Sequence, residues 1–268
     1  MNLALYKAMM KSHSKLLITY SCSVFLYLYL LVMTFPMFAE SQQLNDVLKG
    51  LPESVQVAFG IQGNLSNVND YMAMNFYNSL YLYILMAYAI LTAIQLVSRF
   101  VDRGSMAYLL SSPVSRVQVI NTQAMVLITG LFVVNLFTYF GGYLGVLSFT
   151  DKNGFDMSIF TQMNLIVMLI FLVISAYSFL FSCLFNEEKL AMGASFGITI
   201  LFYSLDLASK LSEEIDWLKY FTIFSLYQPQ KISQGDYNVL STSMILSIVA
   251  IVLFILSASL FKRRDLTL

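Results

Sequence analysis

Charged residues divide the chain into long uncharged stretches. Twenty-four residues without a charge lie between Lys15 and Glu40, 28 between Asp70 and Arg99, and 34 between Arg116 and Asp151. Another 30 lie between Asp156 and Glu187, and 25 between Asp236 and Lys262. A helix that crosses a bilayer needs roughly 20 apolar residues, so each of these runs is long enough. A sixth run covers the 16 residues 190–205 and reaches spanning length if Asp206 sits at an interface. None alternates polar and apolar positions as a barrel strand does. The pattern predicts an all-α integral membrane protein. Its single domain of residues 1–268 has six transmembrane helices, at about 16–39, 74–98, 122–149, 159–185, 189–207 and 238–261.

Ahead of the first run, Lys7, Lys11 and Lys15 recur every fourth residue and form one helical stripe. Leu3, Tyr6, Met10 and Leu17 fall on another face. This predicts an N-terminal interfacial helix over residues 1–15; the plainer alternative is a basic anchor with no separate helix. A secretory signal has an apolar core of about 7–15 residues. The longer run here, with no clear cleavage site, reads as a retained anchor.

Composition removes the soluble alternative. Only 11% of residues are charged and 58% are hydrophobic, against about 25% charged in soluble domains. The basic residues then orient the chain. With the N-terminus in the cytoplasm, Lys7, Lys11, Lys15, Arg99, Arg103, Arg116, Lys189, Lys262, Arg263 and Arg264 all lie inside. Lys49, Lys152, Lys210, Lys219 and Lys231 lie outside. Every arginine is inside, as the positive-inside rule favours.

Candidate catalytic chemistry is sparse. The one histidine, His13, stands among the N-terminal lysines, and Cys22 and Cys183 lie far apart in apolar runs. That set has no zinc-ligand spacing. Glu187, Glu188 and Lys189 read as a short second cytoplasmic loop, because a glutamate-based intramembrane protease would need histidines on neighbouring helices. No P-loop motif occurs, so the chain is expected not to be an enzyme and to hold no cofactor or metal. Ion-coupled transport fits poorly, since the five clear runs carry no charge for a relay. Asn78, Gln95, Asn135 and Gln162 are the main polar interruptions. The pairs Gly141/Gly145 and Gly193/Gly197 have the spacing for close helix packing, within one chain or between two.

Residues 99–120 stand apart. Three arginines keep this segment out of the bilayer, because each costs roughly 2.5–3.5 kcal/mol at its centre. Yet Met106, Ala107, Leu109 and Leu110 are apolar and Tyr108 is aromatic. A simple connector would be polar; apolar residues on a short cytoplasmic element predict a partner groove. Pro113 ends the helical stretch, and Ser115 is placed to cap the next helix.

The stretch "DRGSMAYLLSSPVSR" resembles the cytoplasmic segment after the second helix of ABC-2-type transporter permeases. Asp102, Arg103, Gly104, Ser105, Leu109, Leu110, Ser111, Pro113, Val114, Ser115 and Arg116 carry the likeness. Two positions depart from it: Asp102 where glutamate is commoner, and Gln123 where a lysine is often found. Six spans, the basic tail "FKRRDL" and the outer segment "DWLKYFTIFSLYQPQKISQGD" extend the similarity over essentially the whole chain.

The resemblance implies a cytoplasmic coupling helix between spans 2 and 3 that seats in a separate P-loop ATPase subunit. Arg103, Gly104, Met106, Tyr108, Leu109, Leu110, Pro113, Val114 and Arg116 would make the contact. ATP and Mg would be bound by that partner. A second copy or a sister permease would complete the path in a bacterial cytoplasmic membrane, with both termini cytoplasmic and no nucleic acid involved. The implied activity is export of a hydrophobic or amphipathic substrate, such as an antimicrobial or cytolytic peptide or a drug. The alternative is a membrane-bound immunity or sensor protein that binds a peptide without moving it. On the outer side, Leu211, Ile215 and Leu218 recur at helical spacing beside Trp217 and Tyr220. Trp217, Tyr220, Phe224 and Tyr227 read either as interfacial anchors or as an outer gate.

Overall fold

The computed structural model describes residues 2–39, 50, 56, 67–106, 114–150 and 155–264, without the Glu213 side chain. Among them there are six helices long and apolar enough to cross a membrane, and no strand. The chain is a multi-pass membrane protein.

Helix α1 runs unbroken from Leu3 to Ala39. At 1.5 Å per residue its 37 residues span about 55 Å, well beyond a hydrocarbon core of about 30 Å. The expected separate helix over residues 1–15 is therefore not a separate element. Nothing between Lys11 and Ile18 stops a helix: there is no Gly or Pro, and Ser14 bonds back to the Lys11 carbonyl at 2.8 Å. Ser21, Val24, Leu28, Val32 and Phe35 form its buried stripe, at three- and four-residue intervals.

The second crossing is assembled from pieces. Asn67 caps α2 (Val68–Met72), accepting a hydrogen bond from the Asn69 amide at 2.8 Å. A π-helix, Ala73–Tyr77, follows directly. Then come α3 (Leu80–Leu96) and α4 (Ser98–Asp102). The π-helix and the turn at Asn78 and Ser79 thus fall inside the start of the expected span over 74–98.

Helix α5 (Arg116–Phe149) starts six residues before the expected position 122. Ser115 and Gln118 explain this with a capping box: the Gln118 amide donates to Ser115 Oγ at 3.2 Å, and the Ser115 amide donates to Gln118 Oε1 at 3.0 Å. Asp156 caps α6 (Met157–Leu184) through the amides of Ser158 and Ile159. Helix α7 (Glu188–Leu211) continues past the expected end at 207. Lys210 closes its last turn and pairs with Asp206 at 2.7 Å. Two 3₁₀ helices, Glu213–Phe221 and Ile223–Leu226, and the short α8 (Pro229–Ser233) lead to α9 (Val239–Arg263).

Helix α6 is the hub, packed against α3, α5, α7, α8 and α9. Leu26, Leu30 and Met33 on α1, Ile200 and Leu201 on α7, and Ile248, Ile251 and Ile255 on α9 face outward, as lipid-facing positions do. α1 lies along α5 by way of glycines. A Cβ on Gly141 would stand 2.7 Å from the Phe25 carbonyl oxygen, and one on Gly145 would stand 3.0 Å from Val32 Cβ. The second pair makes no such close approach within the chain. Gly193 and Gly197 have nothing within 4 Å of a built Cβ. The buried face of α7 carries Ala191, Ser195, Thr199 and Asp206. Gly193 lies two residues past Ala191, about 200° round the helix, on the open side.

Candidate functional site

The bundle has an arginine-bearing end and an opposite end, and each gathers polar groups from several helices. At the arginine-bearing end, α4 stops at Asp102 and Gly104 takes φ +68°, a turn conformation that glycine adopts without strain. Met106 then folds under and is buried with Val97, Val119, Leu127, Phe179 and Phe261 in a small apolar core. Val114 packs against the same core from the other side of the loop. Residues 107–113 lie outside the described residues, and with them the expected contact residues Tyr108, Leu109, Leu110 and Pro113.

Both flanks of this loop are tied to other helices. Asp102 Oδ2 accepts the Glu188 amide at 3.1 Å, so a carboxylate caps the N-terminus of α7, where negative charge is favoured. Arg99 Nε stands 4.0 Å from Glu188 Oε2; at that distance this half-buried pair adds little. Arg116 Nη1 donates to the Arg264 carbonyl at 2.7 Å. The Arg264 guanidinium in turn donates to the Cys183 carbonyl at 2.7 Å and to Asn186 Oδ1. The start of α5, the end of α6 and the end of α9 are thereby joined.

Of the residues expected to contact an ATPase, Arg103 and Gly104 are exposed, Met106 is buried, Val114 is half-buried and Arg116 is bonded within the chain. In the second loop, Glu187 and Lys189 are exposed, while Glu188 meets both Arg99 and Asp102.

The opposite end holds a cavity of about 910 Å³. Its walls come from Asn78, the last turn of α7, both 3₁₀ helices and α8. The π-helix fixes these walls. Side chains distant in sequence donate to backbone carbonyls of the π turn. Tyr27 donates to the Asn75 carbonyl at 3.1 Å, Tyr227 to the Tyr77 carbonyl at 2.7 Å, and Gln230 to the Ala73 carbonyl at 3.4 Å. Burial pushes the Tyr227 phenol well above its ordinary pKa, so it remains a donor. Asn164 adds a bond to the Tyr77 hydroxyl at 2.8 Å. Thr222 secures the 3₁₀ segment to the Phe202 carbonyl at 2.8 Å.

The four expected gate residues do not form one cluster. Phe224 and Tyr227 are buried at 1% and 4% exposure, whereas Trp217 and Tyr220 are 56% and 80% exposed. Tyr220 and Tyr227 line the cavity; Trp217 packs edge-on against Phe221 outside it. The cavity's charged residues, Asp206, Lys210, Asp216, Lys219 and Lys231, were not among the expected site residues. The one signal for them was the acid and base four residues apart at the end of an apolar run.

A family model described as ABC-2 family transporter protein matches residues 14–266. No curated protein matches the chain.

Proposed function

Because the chain belongs to the ABC-2 family of transporter proteins, we propose that it is the permease subunit of an ATP-driven exporter. A separate P-loop ATPase hydrolyses ATP with Mg and docks on residues 99–120. A second permease, identical or sister, completes the path across a bacterial cell membrane. The observation that carries this reading is the tethering of the arginine-bearing loop. Asp102 holds one flank to α7, and Arg116 holds the other to the end of α9. A displacement of the loop is therefore shared by several spans, as rigid-body coupling requires. The distribution of basic residues supports a cytoplasmic position for this end and, with it, an outer position for the cavity. The large outward apolar surface and the cavity together favour a hydrophobic or amphipathic cargo.

Two experiments test the reading. Single cysteines at Asp46 and Gly235 should react with an impermeant thiol reagent from outside intact cells, and one at Ser112 should not, once Cys22 and Cys183 are replaced. Labelling at Ser112 would reverse the orientation. Tyr108→Ala combined with Leu109→Ala should weaken co-purification of the ATPase more than about tenfold and leave membrane insertion intact. Full substrate-stimulated ATP hydrolysis by that double variant in a reconstituted complex would remove the loop from the coupling role. Failure of any ATPase to co-purify with the wild-type chain would instead favour the binding-only immunity or sensor reading, which needs none.

A further inference from the structure

Asp206 is 5% exposed, lines the outer cavity, and uses only one of its two oxygens. Oδ2 accepts from Lys210 at 2.7 Å, whereas Oδ1 is buried and accepts no hydrogen bond from the described residues. A carboxylate withdrawn from water needs donors at both oxygens, and the strongest donor is a cationic N–H. Across the cavity, Lys219 is paired with Asp216, while Lys231 makes no ion pair among the described residues. The cavity is therefore bordered by a carboxylate whose Oδ1 has no donor among the described residues and by Lys231, which has no ion-pair partner among them. Five of its lining residues are charged, Asp206, Lys210, Asp216, Lys219 and Lys231, so a ligand held there gains from carrying charge of its own. Leu211 and Tyr220 of the lining, with Trp217 and Phe221 beside them in the chain, are 47% to 80% exposed and form an apolar rim. Aromatic residues so placed mark the level of lipid headgroups.

We infer that the cavity binds the headgroup of an ethanolamine-type phospholipid from the outer leaflet. The ammonium meets Asp206, the phosphate meets Lys231 and Lys210, and the acyl chains lie over the apolar rim. The inference deepens the transport reading and rests on it for the outward orientation of this end. The binding test needs no ATPase, so its failure and the failure of coupling are separate results.

Trp217 is the only tryptophan in the chain and stands at the rim, which makes its fluorescence a local probe. The purified full-length protein in detergent should show a saturable change in Trp217 emission with short-chain phosphatidylethanolamine. Binding should be about tenfold weaker to phosphatidylcholine, which has no N–H to donate, and to phosphatidylglycerol, which has no cation. Asp206→Asn, and independently the exposed-site variant Lys231→Gln, should each weaken the phosphatidylethanolamine titration about tenfold. Lys231→Gln decides the matter if Asp206→Asn fails to fold. Native mass spectrometry on the same samples reads the bound lipid directly. Equal affinity for the three lipids, unchanged titrations in the folded variants, or no saturable lipid by either readout would overturn the inference. Glycerophosphoethanolamine, which keeps the head and lacks the chains, should bind more weakly than the lipid. Equal affinity would mean a soluble ligand and overturn the lipid assignment.

Discussion

Gly141→Leu should prevent α1 from docking on α5, whereas Gly197→Leu should leave the fold of the single chain unchanged. A side chain at 141 meets backbone, with the Phe25 carbonyl oxygen 2.7 Å and Phe25 Cα 3.0 Å from the built Cβ. Backbone cannot change rotamer, so the two helices must separate. Even Gly141→Ala should lower stability by about 1–3 kcal/mol, the usual cost of overpacking. Leucine adds three more carbons to the clash and should exceed that range. At 197 the built Cβ has no neighbour within 4 Å, so the substitution places a larger apolar group on an already outward-facing surface. Thermal unfolding and size-exclusion profiles of the two variants in one detergent provide the comparison. Matching profiles would mean that the α1–α5 approach is not maintained by its glycines.

Arg264→Ala should uncouple the arginine-bearing end. Its guanidinium holds the Cys183 carbonyl and Asn186 Oδ1, and its own carbonyl receives Arg116. Hydrogen bonds to charged groups contribute about 1.5–3 kcal/mol each, with the lower end appropriate at a half-buried site. Arg264→Lys should not restore the wild-type melt, because one ammonium cannot reproduce a planar fork reaching two acceptors. Substrate-stimulated ATP hydrolysis should fall along with stability. Arg116→Ala in the Arg264→Ala background should cost less than in the wild type, because the carbonyl it bonds is no longer held in place. Strict additivity in that double-mutant cycle would show that the two arginines act independently.

Much of the fold was legible in the sequence because a bilayer constrains it so strongly. Charge-free runs of spanning length gave six helices, and Ser115 was recognised as a cap, although its capping box with Gln118 moves the start of α5 forward to Arg116. Residues with distant partners were less legible. Beside its expected contact with another subunit, Arg116 has a partner 148 positions away within the chain, and the acceptor is a backbone carbonyl, which no side-chain pattern reports. Gly193 and Gly197 share the spacing of Gly141 and Gly145, yet spacing alone cannot say which face of a helix turns inward. The π-helix at Ala73–Tyr77 has no local signature either. What permits it is the set of donors brought to its carbonyls by Tyr27, Tyr227 and Gln230. In the sequence, Lys210, Lys219 and Lys231 bear only on orientation. Their convergence on one cavity depends on how two 3₁₀ helices fold back over α7.

The pairing of α3 with α7 has a thermodynamic consequence. At one end Asn78, just before α3, lines the cavity beside Asp206 and Lys210 of α7. Between the ends, Tyr83 reaches the Tyr203 hydroxyl at 3.3 Å. At the other end Asp102, four residues after Ser98 begins α4, caps α7. The two helices and their ties form a closed circuit through the full depth of the protein. In such a circuit, occupancy at either end enters a single free-energy cycle, and linkage is reciprocal. If the proposed ATPase binds only one α3–α7 setting, a cavity ligand that favours that setting by about 1.4 kcal/mol strengthens its docking by up to about tenfold. Docking of the ATPase must then change retention of that ligand by the same factor.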